Sequence, residues 1–359
     1  MATVRAPRSR AAGTRPRLRV ALVGAGYISA QHAPAWVASP DADLVAICDL
    51  DRERAELRRA QLGELGHADV TVHTDVAAML AEVEPDAVDL ATRPETHRAL
   101  VEQAARAGVH VLCQKPLASS LADAQAMVEV CRQAAVRFMV LEMWRYLPWY
   151  RDINKDLEAG EIGPAHYLRV LGPREPLRRV RPVHETQPYF AEMPRLIIYE
   201  MFVHWIDCAR FLLGEIASVD ARAGRVNASV AGEDWAVVLL GHHGGGTSVI
   251  ESSWATPGDA PTVQREGDVL VEGATGALHL DPATLELRRS GPGGTIVVAR
   301  YASLDDAFQK AFAGCIGHFA RAVRFDEPFE SPAEDNARTL SATLAAYDSL
   351  DRHAGVTPA

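Results

Sequence analysis

The stretch "VGAGYIS", residues 23–29, follows an apolar run, Leu18–Val23, and opens a segment of helical character. Gly24 permits the tight turn that leaves a strand. Gly26 keeps the backbone bare where a pyrophosphate would approach a helix N-terminus. Tyr27 and Ile28 complete the turn, and Ser29 stands where a G-x-G-x-x-G pattern has its third glycine. Such a turn alone is a weak signal. Here an acid, Asp49 in "AICDLD", closes the next strand-like run. A carboxylate there accepts both ribose hydroxyls of NAD and repels the additional phosphate of NADP. Gly24, Gly26, Tyr27, Ile28 and Asp49 are therefore expected to bind NAD, while the nearby Arg52 leaves some NADP use open.

Outward from this turn the pattern is regular. Near-continuous apolar runs at Leu18–Val23, Asp43–Cys48, Val70–His73, Ala87–Ala91, Val109–Cys113 and Arg137–Leu141 read as strands buried on both faces. Helical stretches such as Arg52–Leu62, Thr96–Ala107 and Leu121–Ala134 lie between them. This alternation predicts an α/β, doubly wound parallel sheet whose ligand sits beyond the carboxyl ends of the strands. "ATRPETH", residues 91–97, follows the fourth strand, which puts Thr92 and Pro94 at the cofactor, with Pro94 suited to a helix start; Arg93 is placed there too or is simply solvated, and His97 reads as structural.

"VLCQKPLA", residues 111–118, puts Lys115 where the fifth strand leaves the core. Pro116 restricts it to extended geometry, so the ammonium is aimed rather than flexible. At that point it can hydrogen-bond a substrate oxygen during hydride transfer. The plainer alternative, from local sequence alone, is a surface lysine at an ordinary strand exit.

The chain has 359 residues and a net charge of −10, with 37 Lys+Arg against 47 Asp+Glu. That length favours two domains. Arg5, Arg8, Arg10, Arg15 and Arg17 crowd residues 1–17, and without those five the remainder carries −15, a poor surface for nucleic acid. The basic leader lacks the apolar segment of a secretory signal and reads as a disordered tail or a start-site artefact. No run approaches the roughly 20 apolar residues needed to span a membrane. Cys48, Cys113, Cys131, Cys208 and Cys315 stand singly, without CxxC spacing. Buried thiols in a reducing cytoplasm are the plain account, with neither disulfides nor a zinc site expected.

In the second half, "RLIIYEMFVHWIDCARFLLG", residues 195–214, reads as one amphipathic helix ended by glycine. Glu200, His204 and Asp207 are spaced i, i+4, i+7 and fall within roughly 60° of one face. An acid one turn before a histidine can orient its imidazole for proton transfer. Metal chelation and a polar seam between helices are the alternatives; no second ligand cluster accompanies the first. Trp144, Arg145 and Tyr146 follow the sixth strand and are expected to border the substrate. "PREPLRRVRPVHE", residues 173–185, is a basic loop read as a solvated flap, with an anion-receiving role as the alternative. "HHGGG" at 242–246 reads as a hairpin turn.

Together these residues resemble the glucose–fructose oxidoreductase / inositol dehydrogenase (Gfo/Idh/MocA) family, from Leu18 to about Asp351. The family's glycine turn, acid, E-K-P motif, N-x-R-[FY]-x-P-x-Y segment and D-x-G-x-H-x-x-D helix correspond here to Gly24–Ser29, Asp49, Gln114-Lys115-Pro116, "MWRYLPWY" (143–150) and "EMFVHWID" (200–207). The resemblance implies an N-terminal Rossmann domain over 18–143 and a C-terminal α/β domain over 144–359. The latter has an open, mostly antiparallel sheet that often supports homo-oligomers, dimeric or tetrameric. Runs at 165–171, 216–226, 235–242, 247–255, 263–273 and 293–300 suit that sheet. Helices at about 304–324 and 332–352 suit its flank, packing back toward the first domain.

The resemblance also implies hydride transfer between NAD(P) and a hydroxyl-bearing carbon of a sugar, glycoside or cyclitol. Lys115 and His204 would flank the reacting carbon, with Glu200 in the orienting position. Three departures stand out. Gln114 replaces the glutamate that meets the nicotinamide ribose, Glu200 replaces aspartate, and Phe202 replaces a glycine that gives substrate room. One alternative is an enzyme that modifies or cleaves glycosides, using NAD transiently through a 3-keto intermediate. A second is a non-catalytic sensor, against which the joint presence of Lys115, Glu200 and His204 counts.

Overall fold

The computed structural model describes residues 15–174, 187–255 and 267–359. Contacts divide the chain into two units, Met1–Met143 with Phe312–Ala337, and Trp144–Ala311 with Arg338–Ala359.

In the first unit six parallel strands, β1 (Leu18–Val23), β2 (Ala42–Cys48), β3 (Thr71–His73), β4 (Ala87–Leu90), β5 (His110–Gln114) and β6 (Phe138–Leu141), form one sheet. Their order is 3-2-1-4-5-6. It reverses direction between β1 and β4, the crevice where doubly wound sheets take ligands. Helices α1 (Ser29–Ala38), α2 (Arg52–Glu64), α3 (Val76–Val83), α4 (Pro94–Arg106) and α5 (Leu121–Gln133) alternate with the strands. Their starts are written locally. Asp51, Asp75 and Ser120 accept from first-turn amides of α2, α3 and α5, and Pro94 opens α4.

The tail expected over 1–17 lies outside the described residues except for its end. There Arg17 donates to Ser39 O at 2.9 Å, and Arg15 donates to Arg324 O at 2.6 Å.

The second unit carries an eight-stranded sheet of β7 (Ala165–Arg174), β8 (Ile216–Gly224), β9 (Trp235–His242), β10 (Thr247–Ser253), β11 (Asp268–Gly273), β12 (Ala277–Asp281), β13 (Glu286–Gly291) and β14 (Gly294–Arg300). The order is 14-13-12-11-7-10-9-8, antiparallel except where β7 meets β10. β12 and β13 were not expected, being short and, in "ELRRSG", charged. Helix α6 (Pro148–Glu158) precedes the sheet, and α7 (Val203–Leu213) packs on β7 and β10. Gly172 of β7 lies so close to the Trp205 ring of α7 that a Cβ there would collide with it. Helices α8 (Leu304–Phe325) and α9 (Ala333–Arg352) close the chain, each with residues in both units.

The hairpin at 242–246 is a turn. His242 N donates to Gly246 O, and Gly245 has φ +87°. The imidazole of His242 is buried between Gly214 O and Ser248 Oγ, each at 2.7 Å. Beyond its first two residues the basic loop at 173–185 lies outside the described residues. Among the described residues no helix is long and apolar enough to cross a membrane, and no group of three His, Cys, Asp or Glu could hold a metal. All five cysteines are buried and none forms a disulfide. Burial pushes the thiols of Cys48 and Cys131 up to about 11 and about 12.

Candidate active site

The glycine turn is built as its sequence demands. Gly24 has φ +98°, and a Cβ there would stand 2.6 Å from Ala91 O, so only glycine lets the turn pass the end of β4. A Cβ on Gly26 would meet nothing within 4 Å, which leaves open space for a group approaching the backbone. Ser29, at the third glycine position, is buried and donates to Gly26 O at 2.7 Å. It accepts from Arg58 Nε at 3.0 Å, while Arg58 Nη2 also donates to Gly26 O at 3.1 Å. Arg58 was not anticipated, because it lies on the next helix. Burial lowers its pKa.

Asp49 shares its oxygens with the backbone, Oδ2 accepting from Ala25 N at 2.6 Å and Oδ1 from Asp51 N at 2.8 Å. A carboxylate has about four lone-pair sites, so this tie orients the group and leaves capacity for ribose hydroxyls. Tyr27 is exposed, and Ile28 holds the N-cap position of α1 without a side-chain hydrogen bond. Thr92 Oγ1 accepts from Thr96 Oγ1 at 2.8 Å, and Arg93 is the N-cap residue of α4, whose first turn holds Pro94. His97 is fully buried, its ring nitrogens 3.1 Å from Thr92 O and 3.0 Å from Leu117 O. It ties the loop after β4 to the loop after β5, a structural role. These residues fit a dinucleotide: an open glycine cradle, a helix N-terminus and an anchored carboxylate.

Gln114 ends β5 with its amide turned inward. Oε1 accepts from Lys115 N at 2.7 Å, and Nε2 lies 2.9 Å from His32 Nε2. Both ends of the amide expected at the ribose thus have partners within the unit. Lys115 is half-buried at the strand's exit.

In the second unit the expected helix 195–214 is corrected. Ile198–Phe202 form a π-helical turn, and the α-helix begins at Val203. Side chains from elsewhere take the entering amides. Glu233 Oε1 accepts from Leu196 N at 3.0 Å and Ile198 N at 3.1 Å, and Tyr347 Oη accepts from Tyr199 N at 3.1 Å. Tyr347 in turn donates to Glu233 Oε1 at 2.7 Å. Burial, then the Glu233 charge, holds that phenol well above its ordinary pKa. Glu200 is half-buried on the π-turn, and π-turns recur at functional sites.

His204 is 5% exposed and stacks on Trp144, centroids 4.7 Å apart. Trp144 is itself edge-on to Trp205 and Phe308. Phe202 is fully buried with its ring against Trp205, so its bulk enters the core.

Arg145, expected at the substrate, is buried and paired. Nε and Nη2 donate to the two oxygens of Asp207 at 2.7 and 2.6 Å. Thr339 Oγ1 adds a third donor to Asp207 at 3.0 Å. The physical reason is charge burial: Asp207 is fully buried and must be compensated. The expected stripe is thereby split, with Asp207 serving the core. Tyr146 is buried under the Arg151 guanidinium at 4.1 Å.

Known proteins extend this picture. A family described as "Oxidoreductase family, NAD-binding Rossmann fold" matches residues 18–142, and the "GFO/IDH/MocA C-terminal domain" matches 150–279. The chain is 36% identical over 337 residues to a D-apiose dehydrogenase from Paraburkholderia graminis, covering 92% of this chain and 87% of that protein. It is 29% identical to the inositol 2-dehydrogenase of Rhizobium meliloti, covering 93% and 97%. A solved oxidoreductase from Agrobacterium radiobacter, in complex with NAD+, L-tartaric acid and magnesium, is 33% identical with a TM-score of 0.86, covering 95% of this chain and 98% of that one. With both of its domain models matched, the chain belongs to the Gfo/Idh/MocA oxidoreductase family, as an NAD-binding dehydrogenase acting on CH–OH groups.

Proposed function

We propose that the chain oxidises a hydroxyl-bearing carbon of a sugar or cyclitol, with Lys115 and His204 as its proton-handling groups. The observation that carries this reading is similarity to a D-apiose dehydrogenase over 92% of the chain, with Lys115 and His204 in the family's motif positions. NAD+, when bound, supplies the acceptor for the hydride that leaves the carbinol carbon. The hydroxyl proton must leave as well, and the C–O bond becomes a carbonyl. Lys115 donates a hydrogen bond to that oxygen, and neutral His204 takes its proton. Trp144 holds the imidazole plane, and Glu200, one helical turn before His204, favours the imidazolium that results. Gly24, Gly26 and Asp49 hold the dinucleotide, with Asp49 selecting NAD over NADP.

The test is NADH formation by the purified full chain with D-apiose, myo-inositol and an alkyl glucoside, each with NAD+ and NADP+. Net NADH from one of the first two, with NAD+ preferred, supports the reading. Glucoside cleavage without net NADH would replace it by transient use of the cofactor. Lys115→Ala and His204→Ala should fold and bind NAD+ yet lose about 10²–10⁴-fold in turnover, the range for one general acid/base. Near-normal turnover in either variant removes that residue from the mechanism.

A further inference from the structure

A polar line runs through the otherwise apolar centre of the first unit. Asp89, in the middle of β4, and His32, on α1, are both fully buried. Asp89 Oδ2 lies 2.8 Å from His32 Nδ1 and accepts from Trp36 Nε1 at 2.6 Å, while Oδ1 has no hydrogen-bond partner among the described residues. The line continues from His32 Nε2 to Gln114 Nε2 at 2.9 Å, and from Gln114 Oε1 to Lys115 N at 2.7 Å. Phe312 covers the imidazole, centroids 5.4 Å apart, and Phe319 meets the Trp36 ring edge-on.

Donor and acceptor roles along this line follow from its two ends. The Lys115 amide can only donate, which makes the facing Gln114 atom the carbonyl oxygen and turns its NH2 toward His32. The Asp89 carboxylate can only accept, so Nδ1 of His32 carries the proton. Nε2 is then the lone pair that Gln114 needs. Each group has one role, and all are consistent with a neutral imidazole.

We propose that Asp89, His32 and Gln114 are positioning residues that anchor the Lys115 backbone, so that the ammonium leaves β5 from a fixed point. This rests on the reading of Lys115 as catalytic. It also accounts for glutamine where the family motif has glutamate. A glutamine donates to a neutral histidine. A glutamate at 114 would have to share one added proton with Nε2, carried on either partner. An anchor of this kind acts on kcat, because small misplacements of a reacting group cost rate more than binding.

The test uses the full chain with Gln114→Met and Gln114→Glu, read by kinetics, NAD+ calorimetry and histidine ¹⁵N spectra at neutral pH. In Gln114→Met, kcat should fall about tenfold or more while KM and the NAD+ Kd stay within about threefold. The His32 Nε2 resonance should move downfield as its donor disappears. Gln114→Glu, which can still accept from the Lys115 amide, should recover most of kcat. Unchanged kcat in Gln114→Met overturns the anchor. A collapse of NAD+ affinity there also does so, by assigning the amide to the cofactor. If the wild type oxidises neither D-apiose nor myo-inositol, the functional reading fails separately, and the spectra alone judge the anchor: an unmoved Nε2 resonance sinks it. Should Gln114→Met not fold, Gln114→Glu decides by kinetics, a tenfold or larger fall in kcat with the Lys115 anchor retained overturning the proposal.

Discussion

Trp144 and His204 lie face to face, ring centroids 4.7 Å apart and planes 11° from parallel. The stack fixes the imidazole plane, and an aromatic face also favours the imidazolium formed when the ring takes a proton. Trp144→Leu keeps apolar bulk without the π face. Its kcat should fall roughly 10²-fold with NAD+ affinity unchanged by calorimetry, the scale expected when a reacting group is misaligned. Trp144→Phe should retain most activity. A Leu variant with wild-type kcat would reduce the stack to packing.

Breaking the Arg145–Asp207 pair should be costly in stability. Removing one member of a buried, hydrogen-bonded ion pair strands the other charge and costs about 3–5 kcal/mol. Asp207→Ala and Arg145→Ala should each lower the urea midpoint strongly. The double substitution Arg145→Met with Asp207→Leu should be milder than either. Equal damage in the double and single variants would mean that shape, and not charge, governs the site.

The glycine turn separates backbone strain from loop support. Gly24→Ala places a side chain at positive φ against Ala91 O, costing about 1–2 kcal/mol for the backbone alone before the clash. It should abolish NAD+ binding as well. Arg58→Met leaves the turn's backbone free of strain but removes its two ties to Ser29 and Gly26. Calorimetry should find NAD+ binding weakened about tenfold at most, since only loop ordering is lost. Unchanged affinity would make Arg58 a surface contact.

Acid should destabilise the first unit through His110 and His97. Burial first, then the Arg137 charge, pulls His110 down to about 4, and its Nδ1 accepts from Arg137 N at 3.0 Å. Burial also lowers His97, against the pull of the carbonyls of Leu117 and Thr92. Folded pKa values below 6.5 mean that the unfolded chain binds more protons on acidification. Stability is therefore complete above about pH 6.5 and declines from there toward about pH 4, by at most roughly 3 kcal/mol for His110. Urea midpoints at several pH values, for wild type and His110→Gln, check it. The variant should show a shallower decline. Identical slopes would exclude His110.

The Rossmann half was legible because strands buried on both faces are apolar runs, and its helix starts carry their own caps at Asp51, Asp75 and Ser120. The outer strands β12 and β13 were not. At the open end of a sheet, "ELRRSG" keeps only one buried residue, Leu287, and so lacks the alternation that marks a strand. Asp89 carries a signal of its own: an acid inside the four-residue strand "AVDL" has to be satisfied by something, here His32.

The sequence by itself determined the doubly wound sheet, the glycine turn with its acid, and the positions of Lys115 and His204 on their elements. These follow from local periodicity and from backbone rules that operate over a few residues. Only the tertiary structure decided which polar groups meet. Arg145 went to Asp207, 62 residues away, and Gln114 to His32, 82 residues away. The helix expected from 195 opens with a π-turn at Ile198–Phe202, and its entering amides go to Glu233 and Tyr347, 35 and 148 residues away. A buried donor or acceptor must find a partner wherever the fold places one, and no local pattern encodes that choice.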